Sequence, residues 1–212
     1  APASSCPRGS TPRSSATAFT VPRCSPACAG SAAISAQFPT DRLVIPAGGL
    51  KVRANDTDYP FRPDTAFAYY TGLGEDREPD AVLVLEPVDN GEDGSTHSPT
   101  LYFKPRAPRT DEEFYADARH GEFWIGPRPA LAGVAADLGV PTAHIDEFTA
   151  AEGDLVLDED ADLTRFVSEL RLVKDEYEIA QLRLAVAVTA RGFDDIVADL
   201  PRIIDTPRGE RA

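Results

Sequence analysis

A chain of 212 residues is long enough for one to two domains and for a core that needs no disulfide or metal staple. Its apolar share of 42% is ordinary for a globular protein, and its formal charge of −14 argues against nucleic acid or an anionic membrane as partner, because both are met by Lys and Arg patches. All three cysteines, Cys6, Cys24 and Cys28, stand in the leading segment, so they make no disulfide framework and leave a cysteine-free body suited to a reducing cytosol.

Residues 1–40 hold Arg8, Arg13 and Arg23 and no acid; 21 basic residues less these three leave 18 against 35 acids in the remainder. Residues 1–33, built of Ala, Ser, Pro and Arg, are expected to be a disordered or non-native tail that cannot bury enough surface to offset its ordering entropy. They contain no signal-peptide core, and no 18-residue apolar run occurs anywhere in the chain; with the cysteine-free body, a cytoplasmic location is the expectation. The body begins at Ile34. Arg42–Pro46 reads as a buried strand with a turn at Gly48-Gly49.

Asn55–Gly72 is dense in Tyr, Phe and Pro. Its aromatics are too close for one helix stripe and too interrupted by Pro60 and Pro63 for one strand, which predicts an irregular segment and then a short helical turn closed by Gly72. Arg62 among these aromatics, beside Asp58 and Asp64, is placed to stack and pair in a structural role. Ala81–Leu85 predicts a strand covered on both faces, Asn90–Ser98 a flexible connection, and Leu101–Lys104 a strand pairing back. Thr110 and Glu113 have the spacing of a capping box opening a helix over Asp111–Ala118. Leu131–Leu138 has helical spacing ended by Gly139 and Pro141, and Ala143–Ile145 predicts a strand. An acidic run, Asp154–Asp162, precedes a helix at Leu163–Leu172. Asp175 and Glu178 open a long helix reaching about Leu200, where Pro201 is expected to end it. Alternating strands and helices define a mixed α/β sandwich.

Few residues offer chemistry. Asp158, Asp160, Asp162 and Glu169 fall at calcium-loop positions 1, 3, 5 and 12, but position 6 needs Gly and holds Leu163; acids ahead of a helix dipole explain them better. His97, His120 and His144 form no ligand cluster, and Cys24 and Cys28 lack a second ligand pair for zinc. No nucleophile elbow or phosphate loop is present, so no catalytic residue and no metal ligand is assigned.

Three passages resemble aminopeptidase P, the metal-dependent Xaa-Pro aminopeptidase family. The first is YPFRPDTAFAYYTG, against an aromatic-Arg-x-x-S/T-x-F-x-Y-x-T-G wording. The second is LYFKPRAPRTDEEFYADARHGEFWIGPRP, where Glu122, Trp124, Gly126 and Arg128 fill an E-x-W-x-G-x-R signature. The third is ELRLVKDEYEIAQLRLAVAVTARGF, where Arg171, Lys174, Glu178, Ile179, Arg183 and Ala185 match the helix that opens the catalytic domain. The resemblance implies an amino-terminal domain over 34–172, a ribonuclease-H-like mixed sheet with helices on both faces. It also implies a linker and first helix of a pita-bread catalytic domain over 173–212. It further implies a proline-containing peptide substrate, a homo-oligomer (dimer or tetramer), and two manganese ions held by pita-bread residues that this chain lacks. Trp124, in the signature position, would line a substrate subsite of a neighbouring subunit; the bland alternative is a packing aromatic. Alternatives kept open are a prolidase-type dipeptidase or creatinase relative, and a non-catalytic peptide- or protein-binding module.

Overall fold

The computed structural model describes residues 27–55, 57–74, 78–88 and 96–204. The expected tail over 1–26, most of the connection at 90–95, and residues 205–212 lie outside the described residues.

A five-stranded mixed sheet of order β6-β5-β4-β1-β7 organises the molecule. The apolar run predicted at Ala81–Leu85 is β4 (Val82–Pro87), the central strand. It pairs antiparallel with β1 (Leu43–Pro46) on one side and with β5 (His97–Phe103) on the other. The edges are added in parallel, β7 (Leu155–Val156) on β1 and β6 (Thr142–His144) on β5. A separate ribbon pairs β2 (Val52–Ala54) with β3 (Thr57–Asp58).

The register puts Leu43, Ile45, Leu83, Leu85, Leu101 and Phe103 on one face, since opposed residues of a pair share a face. Onto that face pack Ile34 of α1 (Ala27–Gln37), Phe67 and Tyr70 of α2 (Thr65–Thr71), Val134 of α5 (Leu131–Leu138), and Leu163 and Val167 of α6 (Ala161–Leu170). Burying each such side chain contributes about 1.5–3 kcal/mol, which makes this cluster the main stabilising term. The other face carries Val44 and Val84, both buried. There Phe148 lies 5.6 Å from the Tyr102 ring, under the Arg42 guanidinium. Arg42 in turn donates to Glu86 at 2.6 Å and to Asp154 at 2.7 Å.

Local signals were largely sound. Asp64 caps α2 by accepting from the Ala66 and Phe67 N–H groups, and Gly72 closes it at φ 71°, a left-handed conformation that favours glycine. The box at Asp175 and Glu178 opens α7 (Glu176–Ile203) as expected.

Four expectations need correction. The tail reading over 27–33 gives way to α1, because Ile34 and Phe38 have a core to meet: Ile34 is fully buried, and Phe38 meets Phe166 of α6 edge-on at 5.8 Å. The connection expected through Ser98 ends earlier, since His97 and Ser98 already pair with Pro87 and Glu86. No capping box forms at Thr110. A turn closed by Asp111 N–H on the Pro108 carbonyl absorbs that residue, and Asp111 accepts from Glu113 N–H where α3 (Glu113–Ala116) begins. Pro201 lies inside α7, which continues one short step to Ile203, since a proline removes one hydrogen bond without forbidding a final turn.

Candidate functional site

The signature passage folds into a knob beyond the end of β5. Two single-turn helices, α3 and α4 (Glu122–Ile125), face each other across the turn 117–121. Asp117 ties that turn. Its carboxylate accepts from the Arg119 and His120 N–H groups at 2.8 and 3.1 Å, from Lys104 Nζ at 3.2 Å, and faces His120 Nδ1 at 3.1 Å. Desolvation would raise its pKa, but these hydrogen bonds outweigh it and hold the carboxyl down at about 2. Lys104 is held above its ordinary value, chiefly by its bond to Glu113. Behind the turn, Ala107 N–H donates to the His120 carbonyl and Glu122 N–H to the Ala107 carbonyl. Gly121 sits so tightly here that a Cβ would stand 2.4 Å from the Phe114 carbonyl oxygen.

Trp124 projects from this knob and is 57% exposed, so it is no core residue. Its Nε1–H donates to the Tyr115 carbonyl at 2.8 Å. Phe123 stacks on it edge-to-face at 5.0 Å, Tyr115 lies 5.3 Å from Phe123, and buried Phe114 anchors Tyr115 at 4.6 Å. Tyr115, Phe123 and Trp124 thus form an exposed aromatic ridge. Geometry of this kind offers stacking faces.

Beneath the ridge lies a buried charge node that nothing in the local wording announces. Glu78, 6% exposed, receives Arg128 Nη1 on Oε1 at 3.1 Å, and Arg106 Nη2 approaches the same oxygen at 3.6 Å. Arg106 also donates from Nη1 to the Ile125 carbonyl at 3.3 Å. Burial and the neighbouring Arg128 lower the Arg106 pKa, against the pull of Glu78 and Glu122. Of the four signature residues, then, Arg128 is structural and Trp124 is presented to solvent. Glu78 and Arg106 were missed because a sequence does not show which charges are buried.

The remaining candidates have structural duties. Asp64 caps α2, and Asp58 faces Arg119 at 3.4 Å; Arg62 is exposed. His97 Nε2 meets the Asp41 carbonyl at 2.8 Å, and His144 caps the 3-10 turn Ile145–Glu147. In the acidic run Asp160 caps α6, accepting from Leu163 N–H at 2.8 Å, and Asp158 N–H donates to Thr164 Oγ1. Among the described residues no three His, Cys, Asp or Glu side chains gather as a metal set. No helix of the described residues is long and apolar enough to cross a membrane.

The mixed sheet, its helical cover and the knob bearing the signature define an aminopeptidase P-type amino-terminal domain. The chain belongs to that family: the model of "Aminopeptidase P, N-terminal domain" matches residues 31–162. It is 42% identical over 193 residues to Xaa-Pro aminopeptidase 1 of Streptomyces coelicolor, covering 81% of this chain and 38% of that protein. Xaa-Pro aminopeptidase 2 of the same organism is 41% identical, covering 82% of this chain and 40% of its own length. A solved structure from Bacillus anthracis assigned to aminopeptidase P superposes with a TM-score of 0.58 at 16% identity, over 79% of this chain and 44% of that one, which supports the fold alone. The chain thus spans about two-fifths of the length of the curated relatives it matches.

Proposed function

We propose that this chain is the amino-terminal part of a cytoplasmic Xaa-Pro aminopeptidase, a manganese-dependent peptidase that releases the first residue from peptides with proline in second position. The observation that carries the reading is the 42% identity to Xaa-Pro aminopeptidase 1 across 81% of the chain. The part described here shapes and presents; the hydrolytic chemistry belongs to downstream polypeptide, where the metal ligands would reside.

Within that division the aromatic ridge has a definite task. Proline-containing segments dock on aromatic faces because the ring is rigid and loses little entropy on binding. Trp124, held by the Tyr115 carbonyl, is a preset platform of this kind. In an oligomer, dimer or tetramer, it is offered to a neighbouring subunit's substrate.

The test has two arms. Residues 1–212 with manganese should release nothing from a Gly-Pro or Arg-Pro-Pro peptide; metal-dependent release by this piece would overturn the division of labour. The full-length protein should cleave those peptides, and Trp124→Ala should raise KM roughly tenfold, the equivalent of losing about 1.4 kcal/mol of contact. An unchanged KM would remove Trp124 from the substrate site.

A further inference from the structure

Three of the four buried polar atoms that lack a hydrogen-bond partner among the described residues belong to one spot: Glu78 Oε2, Arg106 Nε and Arg106 Nη2. They are complementary. Nε–H and Nη2–H lie on the same edge of a guanidinium and form the fork that takes both oxygens of a carboxylate. Arg106 Nη2 already stands 3.6 Å from Glu78 Oε1, with side chains 3% and 6% exposed. The Glu78 carboxylate is therefore the natural seat of that fork while it also holds Arg128 at 3.1 Å. A cavity of about 20 Å³ lined by Glu78 and Arg128, with Phe67, Leu101 and Phe103, lies beside the node.

Each arm of this node ends on the signature segment. Arg106 reaches the carbonyl of Ile125, the last residue of α4 and the one after Trp124. Arg128 follows two residues beyond Gly126, where the chain turns at φ 73°. Segment 125–128 is thus gripped at both ends from one buried carboxylate. On its far side Trp124 is gripped again, by the Tyr115 carbonyl at 2.8 Å.

We infer that Glu78 is a positioning residue: through Arg106 and Arg128 it clamps the Ile125–Arg128 segment and so sets the orientation of the Trp124 platform. Burial makes the clamp stiff at Arg106, whose side chain is 3% exposed against a carboxylate 6% exposed, so that breaking the pair would strand a charge out of water. The chemical consequence is orientation; Glu78 itself touches no substrate. The functional weight of the clamp rests on the substrate-site reading of Trp124.

The chain contains one tryptophan, so its fluorescence reports on residue 124 alone. Time-resolved anisotropy should show Trp124 of the wild type tumbling with the domain. Glu78→Gln, which keeps the shape and removes the charge, should transfer most of the slow-decaying amplitude to a fast local component. Glu78→Asp, with the charge retained, should restore part of it. Amide exchange should rise at 122–128 in Glu78→Gln while β4 stays protected. Unchanged anisotropy in Glu78→Gln would overturn the inference. So would exchange that rises uniformly, or loss of folded circular dichroism in both Glu78→Gln and Arg106→Gln, because the node would then be a general stabiliser. None of these readouts needs substrate: an unchanged KM in full-length Trp124→Ala would sink the substrate role and leave the clamp standing.

Discussion

Removing α7 should leave the rest of the fold almost as stable as before. The helix is 28 residues long, about 42 Å at 1.5 Å per residue, and not one of its residues is buried. Ile179, Leu182, Leu184, Val186, Val188, Phe193, Ile196, Val197 and Leu200 remain between 37% and 68% exposed. Full burial of such side chains contributes about 1.5–3 kcal/mol each, so a covered face would be a large term that this fold does not collect. Gly192 weakens the helix further, by about 1 kcal/mol relative to Ala. A chain stopped after Lys174 should therefore lose less than about 1 kcal/mol, a Tm change within about 2–4 °C for a protein of this size. Thermal unfolding followed by circular dichroism at 222 nm, roughly the helix band, would measure it, together with hydrogen exchange on the full chain. Residues 179–190 should exchange far faster than β4. A larger fall in Tm, or equal protection of the two segments in a concentration-independent monomer, would refute the reasoning and attach α7 to the sheet domain. The exposed apolar side is what a helix looks like when its covering partner is downstream polypeptide, as proposed here.

Two further outcomes follow from the knob. Gly121→Ala should cost about 1–3 kcal/mol, because a Cβ 2.4 Å from the Phe114 carbonyl and 2.6 Å from that of Asp117 forces the backbone apart; an unchanged Tm would show that the turn is loose. Asp117 has its pKa depressed from 3.8 to about 2, so its contribution to stability is present above the unfolded value and is lost as pH falls through the folded one. Wild type should thus be more stable than Asp117→Asn above about pH 4 and converge with it near pH 2, read as urea midpoints across that range. Parallel curves would mean that the carboxylate is not favoured by folding.

Most elements of this protein were legible where the signal was local. The apolar run around Val84, the cap at Asp64 with Gly72, the spacing of Leu131–Leu138 and the box at Asp175 and Glu178 each act within a few residues, so their consequences can be read in order along the chain. The wording around Trp124 likewise marked the passage that the fold lifts onto its surface. What was not legible depends on partners far away in sequence. Helix α1 exists over 27–33 because Ile34 and Phe38 meet a core built from strands and α6 more than a hundred residues later. Thr110 lost its capping role to a turn anchored at Pro108. Glu78 and Arg106 are two charges that no motif marks, and only folding brings them together with the signature Arg128 in one node. Burial and long-range pairing are properties of the assembled chain: free energies of desolvation and Coulomb attraction depend on distance in space, which composition and spacing do not encode.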